Sequence, residues 1–365
     1  MKIGIFTGEV SGDNYAAILA KNINEINPDI EIFGTGGKIL EKVGVEIIKG
    51  MPVGYMGYSS VILKLPSYLK FFKKVIYEIE KRSPDIIVFI DNPAFNLKVA
   101  EKLKGKFFNV YYIPPKIWAH NYKRIKKIKK YINFVIPIFP FEENIYKKEG
   151  IKCTYFGHPV VDLIKKGEKR NKEKTMIGIL PGSRIQEVYY TLPVILDIVY
   201  DLKKEIDFDV GISSFDEEIE MVIKKICKRK RIEFEIFKGF PYTLIENSDL
   251  ILSTSGTVNL EVALLLKPLI VFYKTSFLNY LIGRCMVKLN MVSPVNLFIG
   301  ENVVPEYIQK IPKEKVKKDI IDLIGKKEMY QKEIKSFKYL KEKIGQEGVS
   351  KKVAEFILEL TKGKK

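Results

Sequence analysis

Short apolar blocks alternate with longer amphipathic stretches along the first half of the chain. Lys2–Phe6, Glu31–Phe33, Val45–Ile48, Asp85–Ile90, Phe107–Ile113 and Phe134–Ile138 read as strands, with Thr154–Phe156 closing the series. Asp13–Ile26 and Tyr68–Lys81 carry apolar residues at helical spacing and read as helices. A βα alternation of this kind predicts a parallel sheet covered on both faces.

Between Ile164 and Lys174 the pattern stops in a polar run that reads as an interdomain linker. The alternation then restarts. Thr175–Leu180, Asp209–Ile212, Glu233–Ile236, Leu250–Ser253 and Leu269–Phe272 are expected strands, and Lys313–Ile324, Lys326–Lys343 and Ser350–Leu360 are expected helices. Two α/β domains follow, over residues 1–164 and 175–344, with a cleft between the carboxyl ends of their sheets. Open sheets of this class bind ligands at that edge.

Composition narrows the class. With 46% hydrophobic and 29% charged residues, a 365-residue chain has material for two cores. Cys153, Cys227 and Cys285 are scattered without a CxxC pair, so neither a disulfide framework nor a zinc site is expected, and a reducing compartment fits. The start of the chain lacks the apolar region of a signal peptide, and no uncharged run reaches membrane-spanning length, so a cytoplasmic location is expected. The net charge of +18 favours an anionic partner: nucleic acid, a phosphorylated substrate or lipid headgroups. Lysine- and glutamate-rich surfaces also occur in heat-adapted proteins.

The loops after strands carry the candidate chemistry. In Gly8-Glu9-Val10-Ser11-Gly12-Asp13, small residues allow a ligand near the backbone at the start of a helix, and Ser11 or Asp13 also suits a cap. Gly34-Thr35-Gly36-Gly37 lacks dinucleotide spacing and reads as a turn for tight packing. Asp91 ends a buried strand, where it serves either as a general base or as an Asx turn before Pro93. Ser183 and Arg184 in Pro181-Gly182-Ser183-Arg184, and Ser255, Gly256 and Thr257 after Leu250–Ser253, make two phosphate-type loops in one domain, enough for a diphosphate. Glu261, one helical turn on, suits ribose hydroxyls as an acceptor, with a surface salt bridge as the plain alternative that its apolar neighbours Leu260, Val262 and Ala263 disfavour. Asp207-Phe208-Asp209 has a DxD form but starts a strand and reads as solvated acids. His120 and His158 are lone histidines, so no metal is expected.

Taken in order, these segments resemble the lipid-A-disaccharide synthase family, inverting glycosyltransferases of outer-membrane glycolipid assembly. The resemblance runs nearly end to end. It rests on Gly8–Asp13, Asp91-Asn92-Pro93-Ala94-Phe95-Asn96, Tyr112–Ala119, Phe139–Glu142, Gly157-His158-Pro159, Leu180–Arg184, Ser255-Gly256-Thr257 with Glu261, and Val304-Pro305-Glu306. His120–Arg124 and Ser293-Pro294-Val295-Asn296-Leu297 depart from the family pattern.

The resemblance implies a GT-B fold: two Rossmann-like domains facing a central cleft, the first on the acceptor side and the second binding UDP-sugar. The helices over 345–365 are then expected to pack back on the first domain or on the partner protomer of a homodimer. It also implies UDP-2,3-diacylglucosamine as donor, 2,3-diacylglucosamine 1-phosphate as acceptor and no cofactor. Asp91 becomes the expected base, with Glu9 and Asp13 as rivals. Ser183, Arg184, Ser255, Gly256, Thr257 and Glu261 hold the nucleotide, and Ser11, Gly12, Asn92 and Asn296 the substrate. Preorganised donors at the diphosphate replace a divalent cation.

A glycolipid substrate implies contact with the inner face of the inner membrane, through Tyr55–Phe72 or Phe277–Lys288; a core-facing helix is the plain alternative for each. The basic run His120–Lys130 reads as a solvated helix face that also suits headgroup phosphates. Competing readings are a peptidoglycan-lipid N-acetylglucosamine transferase, a UDP-sugar epimerase and a basic nucleic-acid-binding protein. The last lacks a recognition motif, and no nucleic-acid partner is expected.

Overall fold

Strand Ile86–Ile90 is an unbroken β-branched and aromatic run with every residue buried, the signature of a central parallel strand covered on both faces. The computed structural model describes residues 1–8, 10–50, 65–119, 121–170, 174–230, 232–239, 241–276, 280 and 291–362. The chain divides into two compact units, one of Met1–Leu163 with Ile344–Lys365, the other of Ile164–Lys343.

The first unit holds a six-stranded sheet of β1 (Lys2–Phe6), β2 (Glu31–Thr35), β3 (Glu46–Ile47), β4 (Ile86–Ile90), β5 (Asn109–Tyr112) and β6 (Phe134–Ile136). Its order is β3-β2-β1-β4-β5-β6, with all neighbours parallel. The surrounding helices are α1 (Val10–Ile26), α2 (Lys38–Lys42), α3 (Leu65–Arg82), α4 (Pro93–Leu103), α5 (Arg124–Tyr131) and α6 (Pro140–Lys148). Thr154–Phe156 does not complete the sheet; only Cys153 forms an isolated bridge to Val135.

Of the stretch Tyr55–Phe72, residues 55–64 lie outside the described residues. Beyond them α3 turns Tyr68 and Phe71 into the core, with Phe71 stacked on Phe95 at 5.9 Å, while Leu69 on the same helix stays exposed. In α5, Ile125 and Ile128 are buried and Lys127 pairs with Glu101 at 2.6 Å, an ordinary solvated amphipathic face. Among the described residues no helix is long and apolar enough to cross a membrane.

The second unit repeats the plan with β7 (Met176–Leu180), β8 (Asp209–Ser214), β9 (Glu235–Lys238), β10 (Leu250–Thr254), β11 (Leu269–Tyr273) and β12 (Glu306–Ile308) in the order β12-β11-β10-β7-β8-β9. Its helices are α7 (Ile185–Leu202), α8 (Glu217–Lys230), α9 (Tyr242–Asn247), α10 (Val258–Leu264), α11 (Pro294–Ile299), α12 (Lys313–Ile324) and α13 (Glu328–Lys343). The polar stretch after Ile164 is not free. Arg170 donates its N–H to Asn247 Oδ1 at 2.8 Å, and Asn247 Nδ2 donates to the Glu168 carbonyl at 2.6 Å, joining it to α9.

The last helix, α14 (Val349–Lys362), returns to the first unit and packs along α1 of the same chain. Asp162 fixes its start, accepting the N–H groups of Gly348 and Ser350 at 2.6 Å each. In each sheet the first strand lies beside the fourth, so the winding reverses between β1 and β4 and again between β7 and β10. Ligands of doubly wound sheets bind at the carboxyl side of such points.

Candidate active site

At the first unit's reversal the backbone is strained. Asp91 and Asn92 have φ of 50° and 42°, and Ile113, ending the neighbouring strand, has φ of 58°. A β-branched residue in the left-handed region is a true outlier, and such strain persists only where surrounding contacts enforce it. Here they do. The Asp91 carbonyl accepts from Asn96 Nδ2 at 2.7 Å and from the Tyr111 hydroxyl at 2.8 Å, while its N–H reaches the Ile113 carbonyl at 3.3 Å. Asn96 also approaches the carbonyls of Phe6 and Ile90 at 3.2 Å each, tying the ends of β1 and β4 together.

Helix α1 begins at Val10, so Ser11, Gly12 and Asp13 form its first turn rather than a preceding loop. Gly12 lies against both strand ends. A β-carbon there would come 2.2 Å from Thr7 Oγ1 and 3.7 Å from Asp91 Cβ. The small residue read as room for a ligand thus brings the start of α1 close to the candidate base.

Two expected site residues of this unit are also tied into its scaffold. Asp13 is buried and caps α2 rather than its own helix: Oδ1 accepts from Gly37 at 2.6 Å and Oδ2 from Ile39 at 3.2 Å. Burial raises its pKa against these bonds. Both of its oxygens are thus engaged in capping α2. Asn92 is 4% exposed and its carbonyl accepts from Phe95 and Asn96, which places it inside the turn. Glu9 and His120 lie outside the described residues.

At the second unit's reversal, two turns flank one point. Thr254 Oγ1, at the end of β10, donates to the Leu180 carbonyl at the end of β7 across 3.4 Å. After β7, Gly182 has φ of 108°, and a β-carbon would meet Glu187 Oε2 at 2.6 Å. Ser183 and Arg184 follow, both exposed, with Arg184 held by Glu187 at 2.9 Å. After β10, a β-carbon on Gly256 would meet nothing within 4 Å among the described residues. Glu261 is partly buried, and desolvation lifts its pKa to about 7 against the lowering effect of a hydrogen bond from Tyr242.

The family model described as lipid-A-disaccharide synthetase matches residues 3–358. The chain belongs to the lipid-A-disaccharide synthase family. A synthase of that name from Myxococcus xanthus is 30% identical over 378 residues, covering 98% of this chain and 97% of its own. Lipid-A-disaccharide synthase 1 of Legionella pneumophila (strain Lens) is 32% identical over 323 residues, 84% of each chain. Among solved structures, S. aureus MnaA in its UDP co-structure overlays with a TM-score of 0.68 at 14% identity, covering 98% of this chain and 95% of that one, a likeness of fold. The chain is therefore a GT-B glycosyltransferase of lipid A biosynthesis, and the epimerase and peptidoglycan readings are set aside.

Within this glycosyltransferase, Asn296 is engaged by the scaffold. It is fully buried, donating to the Val304 carbonyl at 2.9 Å and Glu306 at 2.6 Å, while its oxygen accepts the N–H groups of Val303 and Val304 at 2.9 Å each. With all of its hydrogen-bonding capacity met internally, it is a scaffold residue. Ser255 is engaged too: its N–H goes to the Phe272 carbonyl at 3.1 Å and its hydroxyl to the Val292 carbonyl at 2.7 Å, so it anchors its turn.

His158 is 2% exposed, accepts from Val160 at 3.1 Å, and is held neutral by burial and Lys116, its pKa pushed down to about 3. Asp207 pairs with Lys174 at 2.8 Å, away from either turn's chemistry. Residues 277–279 and 281–288 are outside the described residues, Cys285 included. Among the described residues no cluster of three His, Cys, Asp or Glu side chains could hold a metal ion.

Reading the sequence missed Asn96 and Glu306 as organisers. The available signal was a polar residue on the buried face of an otherwise apolar helix, and a carboxylate beside an edge strand.

Proposed function

We propose that the enzyme transfers 2,3-diacylglucosamine from UDP to the 6-hydroxyl of 2,3-diacylglucosamine 1-phosphate with inversion at the anomeric carbon. The observation that carries this is the pair of turns around the β7–β10 reversal, with an exposed Arg184 on one and an open Gly256 on the other. Together they suit a diphosphate, and Glu261 lies one helical turn beyond Thr257, within a family that makes this disaccharide.

Asp91 removes the acceptor's proton as its oxygen attacks the face of the sugar opposite UDP. The anomeric C–O bond to the diphosphate breaks, and its electrons leave with UDP. Arg184 and the main-chain N–H groups of Gly256 and Thr257 stabilise the departing charge. Glu261 accepts from the ribose hydroxyls. The chain works as a peripheral protein at an acidic lipid surface, which its net charge of +18 favours, and as a homodimer.

Incubation with both glycolipids, with and without EDTA, tests the reading by mass. Disaccharide 1-phosphate and UDP are expected in both arms. UDP release without disaccharide, or an epimerised sugar, would sink the transferase assignment, and loss with EDTA would sink metal independence. Flotation with vesicles that contain or lack anionic lipid tests the surface contact, and failure to float with either refutes it.

A further inference from the structure

We propose that Glu306 is a positioning residue for nucleotide binding, acting through the segment from which the Ser255-Gly256-Thr257 turn is held. The inference rests on the reading that this turn receives the diphosphate. Three N–H donors converge on the Glu306 carboxylate. Val292 donates to Oε2 at 2.6 Å, and Ser293 and Asn296 Nδ2 donate to Oε1 at 2.9 and 2.6 Å. The Val292 carbonyl then accepts the Ser255 hydroxyl at 2.7 Å. Carboxylate, peptide unit and serine form one relay from β12 to the turn.

The relay has a rigid base. Glu306 opens β12, which pairs with β11 in the register Phe272 to Tyr307. Phe272 accepts the Ser255 N–H at 3.1 Å. Ser255 is thereby fixed twice to the same sheet edge, once through β11 directly and once through Glu306 and Val292. Asn296 closes the loop by holding Val303 and Val304, the residues that lead into the edge strand.

Only a carboxylate satisfies this arrangement. It offers two acceptor oxygens to three donors, whereas a glutamine offers one oxygen and turns an NH2 group toward an N–H. An unpaired N–H at Ser293 would release the peptide whose Val292 carbonyl anchors the Ser255 hydroxyl, and one at Val292 would loosen the peptide before it.

The full chain is titrated with UDP by calorimetry and assayed with both substrates as wild type, Glu306→Gln, Ser255→Ala, the double variant and Arg184→Ala. Glu306→Gln is expected to weaken UDP affinity and raise the donor KM by roughly ten-fold while kcat changes far less. The double variant should bind no more weakly than the worse single variant, because both act on one element. Independent, multiplying losses overturn the relay.

Weakening by Ser255→Ala and Arg184→Ala with no effect of Glu306→Gln removes only the relay. No effect of any of the three removes the diphosphate reading itself. Should Glu306→Gln fail to fold, hydrogen exchange on the wild-type chain decides. UDP must slow exchange of the Val292 and Ser293 amides, and unchanged rates there overturn the proposal.

Discussion

The Tyr111 hydroxyl donates to the main-chain carbonyl of Asp91 at 2.8 Å, from one strand end to its neighbour. A buried phenol thus grips the backbone of a residue whose φ of 50° is costly to hold. Tyr111→Phe is expected to lose about 1 kcal/mol of stability in denaturant titration. It should also lower kcat while leaving UDP affinity intact. Equal losses in kcat and UDP binding would show that the hydroxyl serves the fold alone.

Asp91→Asn tests the base directly. Loss of a general base typically costs about a hundred-fold to ten-thousand-fold in turnover. A drop of that order in kcat, with UDP affinity by calorimetry unchanged, is expected. Near-normal turnover would transfer the role to Glu9 or to Asp13, the latter already engaged in capping α2.

Glu261 should make nucleotide binding pH-dependent. Its pKa of about 7 leaves it half-ionised near neutrality, and the ionised form is the stronger acceptor for two hydroxyls. UDP affinity is expected to rise as pH climbs through about 7, and Glu261→Gln should flatten the profile. Tyr242→Phe should move the midpoint upward, because the tyrosine bond lowers the pKa. For the ligand-free fold the sign reverses. A carboxyl whose folded pKa is raised stabilises below its unfolded value, and that contribution is lost as pH rises through about 7.

Trp118, the single tryptophan of the chain, donates from Nε1 to Glu142 at 2.8 Å. Burial holds the Glu142 pKa at about 6, although Trp118, the Phe139 and Ile138 N–H groups and Lys116 all pull it down. Tryptophan emission should therefore titrate near pH 6, with the indole bond weakening on the acid side. Emission that does not change across that range, or an identical transition in Glu142→Gln, would show that Glu142 is not the titrating group.

Much of this architecture was readable as pattern. Buried runs such as Ile86–Ile90 announce parallel strands, and Asp91, Pro181–Arg184 and Ser255–Thr257 stand out because each follows one. Partners distant in sequence were not readable. The Asp13 cap engages residues more than twenty positions away, and the bonding of Asn296 depends on where β12 pairs. Three-residue β12 and six-residue α9 and α11 are also too short to show a period. Chemistry at strand ends could be anticipated, whereas the scaffolding behind it needed the folded chain.

Asp162→Asn should loosen the start of α14 at a cost of about 1 kcal/mol, the usual worth of a lost cap. Faster amide exchange confined to 348–362 is the expected readout. Exchange unchanged there would mean that the contact between α1 and α14 holds the helix by itself.

Because α14 completes the first unit from beyond the whole second unit, translation imposes an order on maturation. Residues 164–343 can consolidate as soon as they leave the ribosome, whereas α1, made well before them, keeps its docking face bare until 349–362 have been made. A nascent chain stalled short of Val349 would carry one finished half and one open half, exposed to chaperones and proteases alike.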